Sequence, residues 1–331
     1  MARKVSVGIN WQGNLDLKAV LERVQIADAV GVHSAWVAEA WGRDAFTLLT
    51  LMADRTKQIQ LGTSIVNIYS RTPAALAQHF ATMDELFGGR MLIGLGTSGP
   101  QVIEHFHGVK FNPPLTRLKE YVEILNTLMH GEPLKYDGKV FNLQRGFTLR
   151  FTPVRNHIPI YLATLNAKSV KLTAEMADGW LPVMIPLPNL KGEIDTLRHA
   201  SVAAGRPADA VSVRAPGMVV ASSNVEKARA ESAGTLAFYI GRMGTFYAEQ
   251  LTRHGYGEAV QNVKQAWNNG SRAAMEAVPA NLLDAINFAG SVEACIDRIQ
   301  AQAESGADIH SVHVDTPDNR EYERMLKQLV G

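Results

Sequence analysis

Residues 59–95 read IQLGTSIVNIYSRTPAALAQHFATMDELFGGRMLIGL. The stretch opens on one short apolar run, Ile59–Val66, and closes on another, Met91–Leu95, each with the length and composition of a buried strand. Between them Thr72-Pro73 supplies a capping hydroxyl and then a proline whose missing N–H costs nothing at a helix start. Gly88-Gly89 supplies the stop. A strand, a helix and a second strand in this order form one βα repeat, and strands joined through a helix pair in parallel.

The same unit recurs on both sides. Val5–Ile9 and Ser34–Ala38 precede it, separated by Leu17, Val20, Leu21, Val24 and Ala27 at the spacing of one buried helical face ending near Gly31. Ile158–Ala163, Gly179–Val183, Val211–Ala221 and Ile309–Val314 follow it, which makes eight runs in all. Eight strands alternating with helices predict an α/β fold, a (β/α)8 TIM barrel, with insertions after strands 4 and 7. The first insertion, about residues 131–157, has β-like Phe141-Asn142-Leu143 and Phe147–Phe151 around Gly146. The second, about 222–290, reads as largely helical and contains Gly241, Gly244 and Gly255. No linker or composition shift divides the chain, so residues 1–331 are expected to form a single domain.

The composition excludes several function classes. With 46% hydrophobic and 20% charged residues the chain has material for a large core, which removes disordered and fibrous classes. Thirty-three basic against 32 acidic residues leave a formal charge of +1, too even to attract nucleic acid or an anionic membrane. Cys295 has no second cysteine to pair with, so a reducing, cytoplasmic location is expected. Polar Asn10, Gln12 and Asn14 interrupt any leader-like apolar run near the start, so no signal peptide is expected, and no apolar stretch is long enough to span a bilayer.

In a βα barrel the chemistry lies where the strands end at their carboxyl side. Those positions are polar and glycine-rich here: Asn10-Trp11, Glu39, Ser64 to Asn67, Gly96-Thr97-Ser98-Gly99, and Ala163-Thr164-Leu165-Asn166. Such groups can hydrogen-bond a planar heterocycle and let a phosphate approach backbone N–H groups closely. Each could equally serve its own turn; their convergence is the argument. Gly94-Leu95-Gly96-Thr97-Ser98-Gly99 matches G-x-G-x-x-G, but it follows the fourth strand, precedes Pro100, and finds Lys119-Glu120 inside a helical pattern where a dinucleotide fold needs a strand-end acid. A close-approach loop is the better reading.

Trp36-Val37-Ala38-Glu39, Gly42-Arg43-Asp44-Ala45-Phe46, Leu61-Gly62-Thr63, Tyr69-Ser70-Arg71-Thr72-Pro73, Gly88-Gly89-Arg90, Gly94 to Pro100, Ile160-Tyr161-Leu162-Ala163 and Ala177-Asp178-Gly179-Trp180 carry a resemblance by their order and spacing. They resemble the luciferase-like flavin and deazaflavin oxidoreductases, in the branch that uses coenzyme F420 and is related to methylenetetrahydromethanopterin reductase. The resemblance is strong over about residues 1–205 and collinear to the end. It implies a barrel holding a tricyclic ring at its mouth and a non-prolyl cis peptide at Ser64–Ile65 pressing the backbone against the ring. Asn67 would bond the pyrimidine edge. Gly96, Thr97, Ser98 and Gly99, with Ala163, Thr164, Leu165, Asn166 and Ala167, would grip the polar tail and phosphate, with Lys168 and Ser169 opening the next helix. The chain has Asn166-Ala167 where relatives usually have Gly-Pro.

Glu39 matches an acid that the family uses near the ring and is the candidate catalytic group; the alternative is a structural carboxylate paired with Arg43 or Arg71. The family's sugar-phosphate dehydrogenases have a histidine just after this acid and a glutamate in the fourth loop. Ala40 and Gly99 stand there, which argues against a glucose-6-phosphate substrate and leaves no assigned proton donor. The implied activity is hydride transfer between C5 of a reduced deazaflavin and a small organic substrate, in the reductive direction, by a homodimer. Two alternatives stay open: an FMN-dependent monooxygenase on the same scaffold, and a flavin- or deazaflavin-binding protein without turnover.

Other candidates read more blandly. His105 and His107 lack further metal ligands nearby and are expected on the pocket wall; no metal is expected. Cys295 falls in a helical pattern with Ile296 and Ile299 and reads as a small hydrophobe, and Ser98 lacks a recognisable triad. Trp11, Trp41, Tyr69 and Met184 could wall a ring or cap a core. Met243, Phe246 and Tyr247 read as one insertion helix packed on the barrel.

Overall fold

The computed structural model describes residues 2–9 and 15–331, so the reading of Asn10-Trp11 lies outside the described residues. Two compact units emerge, residues 8–180 and residues 1–7 with 181–331. β1 is Val5–Ile9, of which Val5–Val7 belong to the second of these units.

The first unit continues as α1 (Leu17–Ala29), β2 (Ser34–Val37), α2 (Ala45–Arg55), β3 (Gln60–Thr63), β4 (Val66–Asn67), α3 (Pro73–Leu86), β5 (Met91–Gly96), α4 (Pro100–His105), α5 (Pro114–Met129), β6 (Leu134–Asp137), β7 (Asn142–Phe147), β8 (Ile160–Ala163), α6 (Ala167–Met176) and β9 (Gly179–Trp180). β2, β3, β5, β8 and β9 lie side by side, all parallel, and β4 resumes the line of β3 against β5. All six residues of β5 are buried, as a strand covered on both faces requires. The helix starts are written locally: the Thr72 hydroxyl accepts the Ala75 N–H at 3.1 Å, with Pro73 in the first turn.

The unit's core is keyed by missing side chains. A Cβ on Gly62 would stand 2.7 Å from the Trp36 ring, and one on Gly179 would stand 2.0 Å from the Tyr161 ring. The two rings meet edge to face with centroids 5.2 Å apart.

The second unit holds α7 (Leu187–Ala203), β10 (Ser212–Val213), β11 (Val219–Ser222), α8 (Val225–Arg242), α9 (Phe246–Leu251), α10 (Gly257–Ala266), α11 (Ser271–Glu276), α12 (Ala280–Ile286), β12 (Phe288–Gly290), α13 (Val292–Glu304), β13 (His310–Asp315) and α14 (Asn319–Val330). β12, β11, β13 and Val5–Val7 of β1 pair in parallel in that order. α8 to α12 pack around Leu236, Ile240, Leu251, Val263 and Leu282, all at 0% exposure, so the helical reading of 222–290 holds. Among the described residues no helix is long and apolar enough to cross a membrane.

Several elements differ from expectation, among them the run Ile59–Val66, which the structure breaks into β3 and β4 on either side of Ser64–Ile65. Val211–Ala221 is two strands, because at Gly217 (φ +77°) the chain presses on residue 286 so closely that a Cβ would lie 1.9 Å from the Ile286 carbonyl oxygen. Gly179–Val183 yields only Gly179–Trp180 as strand, and β12 went unread because three residues cannot display a period. The Phe147–Phe151 strand stops at Phe147, whose partner in antiparallel β6 is Leu134; Pro133 beside it has no N–H to extend the ladder. Met243, Phe246 and Tyr247 do not share one helix: α8 ends at Arg242, Met243 caps it ahead of Gly244 (φ +80°), and Phe246-Tyr247 open α9. Cys295 is fully buried, donates its thiol to the Val220 carbonyl at 3.3 Å, and burial pushes its pKa up to about 11, in keeping with a packing role.

The 131–157 insertion is tied down by Glu120 of α5. Its buried carboxylate accepts the backbone N–H groups of Lys139 (2.7 Å), Val140 (3.0 Å) and Phe141 (2.9 Å), and residue 138 is glycine because a Cβ would meet a Glu120 oxygen at 2.4 Å. Glu120→Gln replaces one acceptor oxygen by a donor facing these N–H groups. It is expected to lower stability by about 1–3 kcal/mol, read as a fall in the urea midpoint, with the 134–147 amides losing hydrogen-exchange protection first.

Candidate active site

Because β2, β3, β4, β5, β8 and β9 are parallel, their carboxyl ends share one edge. Register then makes a row: Asn67 of β4 stands opposite Gly96 of β5, and Gly96 opposite Ala163 of β8. The peptide Ser64–Ile65 is cis, at the position implied by the resemblance, and lies between β3 and β4. Ile65 packs over Gly96, where an added Cβ would meet the Ile65 side chain at 3.0 Å and the Ala163 Cβ at 3.4 Å. Two backbone bonds tie this bulge to β2 and its loop, Ser64 N–H to the Val37 carbonyl at 2.8 Å and Glu39 N–H to the Ile65 carbonyl at 3.2 Å. Glu39, Ile65, Asn67, Gly96 and Ala163, read from four separate segments, therefore adjoin one another.

Glu39 is engaged on both oxygens. The Arg71 guanidinium donates to them at 2.7 and 3.1 Å, the Ala45 N–H donates at 2.9 Å, and the Glu39 side chain is only 9% exposed. Arg71 also pairs with Asp44, and its own carbonyl accepts the Tyr121 hydroxyl at 3.0 Å. Burial alone would lower the Arg71 pKa, but Glu39 and Asp44 outweigh it and hold it above the ordinary value. Asp44 caps α2 by accepting the Thr47 N–H at 2.7 Å; burial opposes its charge, yet the Thr47 donors and Arg71 keep its pKa below the usual carboxylate range. Of the two partners considered for Glu39, the structure gives Arg71 this bidentate role. As placed, the carboxylate has the bonds of an organiser of the β2–α2 turn.

The glycine loop after β5 turns through Ser98, at φ +55° a rare conformation for a residue with a side chain, and the Thr97 hydroxyl donates to the Ser98 carbonyl at 3.2 Å. Gly99 has ordinary extended angles (φ −114°, ψ 156°), yet nothing lies within 4 Å of where its Cβ would stand. Its missing side chain thus leaves open space. In the loop after β8, Thr164 bonds inward, its hydroxyl 2.8 Å from that of Thr173 and its carbonyl accepting the Trp180 indole N–H at 3.1 Å. Asn166 and Ser169 form a reciprocal capping box on α6, which begins at Ala167, so asparagine keeps the turn without Gly-Pro. Lys168 is exposed.

Tyr69 is buried, its ring stacked on Phe111 at 5.6 Å with its hydroxyl donating to the Phe111 carbonyl, and burial raises its pKa to about 12. The Arg117 guanidinium lies between the Tyr69 ring (4.7 Å) and the Phe141 ring (5.2 Å), a contact sequence reasoning missed because three separated segments build it. Met184 belongs to the helical cluster of the second unit, and Trp41 is 40% exposed. His107 comes to the row directly, its Nε2 3.2 Å from the Asn67 amide nitrogen; His105 ends α4.

The family model for luciferase-like monooxygenases matches residues 5–308. The chain belongs to that family. It is 32% identical over 310 residues to a protein of Mycobacterium tuberculosis named as a coenzyme F420-dependent oxidoreductase, covering 88% of this chain and 89% of the relative. It is 28% identical over 316 residues to the 5,10-methylenetetrahydromethanopterin reductase of Archaeoglobus fulgidus, covering 93% and 92%. The solved coenzyme F420-dependent tetrahydromethanopterin reductase of Methanopyrus kandleri superposes with a TM-score of 0.85 at 22% identity over 100% of this chain and 99% of that one, a likeness in fold. The α/β barrel class read from the eight runs is the fold class of these family members.

Removing Arg71 strands a carboxylate that is nine-tenths buried. Arg71→Leu is expected to cost about 3 kcal/mol in urea unfolding, and Arg71→Leu with Glu39→Leu to recover part of it, as a double-mutant cycle would measure.

Proposed function

We propose that the chain is an F420-dependent oxidoreductase that transfers a hydride between C5 of the reduced deazaflavin and a small organic substrate, in the reductive direction. The observation that carries the reading is the Asn67–Gly96–Ala163 row with Ile65 seated over Gly96. The relatives that share the fold and are named for this cofactor support it. The residues fit such a group. Ile65 and the side-chain-free Gly96 make a flat apolar backing, and the open space beside Gly99 suits a polar tail approaching along the backbone.

In this reading Ile65 and Gly96 back the ring, and Asn67 offers its carboxamide to the pyrimidine edge. The backbone of Gly96–Gly99 and of Ala163–Ala167 takes the tail and phosphate. The bound cofactor supplies the hydride; the protein supplies position and a shielded face. Glu39, already held by Arg71 and the Ala45 N–H, keeps the β2–α2 turn against the Ile65 carbonyl rather than moving a proton. A second reading, an FMN-dependent monooxygenase, draws on the family model's own description.

We further propose a homodimer. Leu86, 67% exposed, borders a groove of about 300 Å³ between α2 and α3 lined by Phe46, Thr50, His79, Thr82, Met83 and Phe87. Sedimentation is expected to give twice the chain mass, and Leu86→Glu to shift it toward one.

Titration with both cofactors separates the two readings. F420 is expected to bind at least about tenfold more tightly than FMN, a difference of about 1.4 kcal/mol, and anaerobic reduced F420 to be reoxidised by a member of a panel of enones, imines and ketones. Tight FMN binding without F420 affinity would reverse the assignment. Gly99→Leu fills the open space and is expected to weaken F420 binding by about tenfold or more while leaving the thermal midpoint within about 2 °C.

A further inference from the structure

His107 lies in the loop after α4 and meets Asn67 across the row. The Asn67 side chain cannot be turned over at will. Its Oδ1 accepts two backbone N–H groups of its own turn, from Tyr69 at 3.0 Å and Ser70 at 2.8 Å. An amide that faces two N–H donors must present its oxygen to them, so its Nδ2 is the atom facing His107 at 3.2 Å. Nδ2 carries two hydrogens and no lone pair to give. The His107 Nε2 opposite must therefore be bare, with the ring hydrogen on Nδ1. This chain of donors and acceptors assigns the tautomer without reference to any hydrogen position.

We propose that His107 is a positioning residue of the cofactor site: as a neutral imidazole with its hydrogen on Nδ1 it accepts one N–H of the Asn67 amide, leaving the other for a bound ring, and on protonation it releases that amide. The inference rests on the F420 reading only for what the second N–H would meet. The release follows from the geometry, since an imidazolium would set an N–H donor against an N–H donor. Above the titration the contact is intact; as pH falls through it the contact is lost.

The charged groups facing the ring are Glu39, in the loop after β2, which favours protonation, and Arg71, ahead of α3, which opposes it. On its own segment are Glu104, which accepts the Phe111 N–H at 3.2 Å, and His105. Burial is the largest influence and, with Arg71, outweighs Glu39, so the ring's pKa lies below the ordinary imidazole value. The neutral form is the resting form at neutral pH.

Imidazole nitrogen-15 spectra of the full-length protein without cofactor, with His107→Gln to identify the signals, test the assignment directly. At pH 7 the expected result is a protonated Nδ1 and a bare Nε2, the minority tautomer of free histidine. On acidification the Asn67 side-chain amide signals are expected to move with the same midpoint as the His107 ring. A protonated Nε2 at pH 7, or Asn67 signals indifferent to the His107 titration, would overturn the proposal.

A second arm reads the consequence for binding. His107→Gln places a permanent acceptor oxygen near the Nε2 position, so the ratio of its F420 dissociation constant to that of the unsubstituted protein cancels any titration of the cofactor itself. The two are expected to agree within about twofold at pH 7.5, with the unsubstituted protein about fivefold the weaker below its His107 midpoint, the size of one lost amide hydrogen bond. A ratio that does not change with pH would remove the positioning role. Failure of the unsubstituted protein to bind F420 at any pH would remove the functional reading instead, and the nitrogen-15 result would still decide the tautomer.

Discussion

Ile65 packs directly over residue 96, where the absence of a side chain leaves it room. The contact is close enough that a single methyl group on Gly96 would stand 3.0 Å from the Ile65 Cδ1, and it joins the end of β3 to the end of β5. Once these meet, parallel register carries the alignment outward, to Asn67 on one side and Ala163 on the other. The backbone bond from Glu39 to the Ile65 carbonyl then brings the β2 loop to the same place. A close approach at Gly96 thus lies where four loops meet.

Charge works at a second level, behind the row. Arg71 gathers Glu39 and Asp44, so that an acid at a strand end, costly to bury alone, becomes the brace of the α2 turn. The polar atoms in contact with the row are mostly committed to partners of their own: Thr164 to Thr173, Asn166 to Ser169, the Asn67 oxygen to its own turn. Pre-committed groups hold their shape when a ligand arrives, which is what a site relying on orientation needs.

The fold was readable wherever a local period or a local cap existed. The strand runs, the Thr72-Pro73 helix start and the helical character of 222–290 are all short-range properties of the chain. Reading failed where the deciding contact was distant. The pressure of Ile286 on Gly217 splits one expected strand in two, and β12 exists because β11 is there to pair with it. The site shows the same division. Its loops were located by strand ends and by a resemblance spread over many short motifs. The choice of Arg71 as the partner of Glu39, the stacking of Arg117 between Tyr69 and Phe141, and the meeting of His107 with Asn67 join residues 24 to 48 positions apart, and no spacing in the sequence marks them.

By itself, then, the sequence determined the alternation of strands and helices, the helix starts that carry a local cap, and the small and polar residues at the strand ends. These follow from backbone sterics, capping and hydrophobic period, all of which act over a few residues. Only the tertiary structure decided which of those residues touch, which carboxylate is consumed by an arginine, and which nitrogen of His107 bears its hydrogen. Those depend on register and on through-space donors and acceptors, and neither exists until the parallel strands have come together.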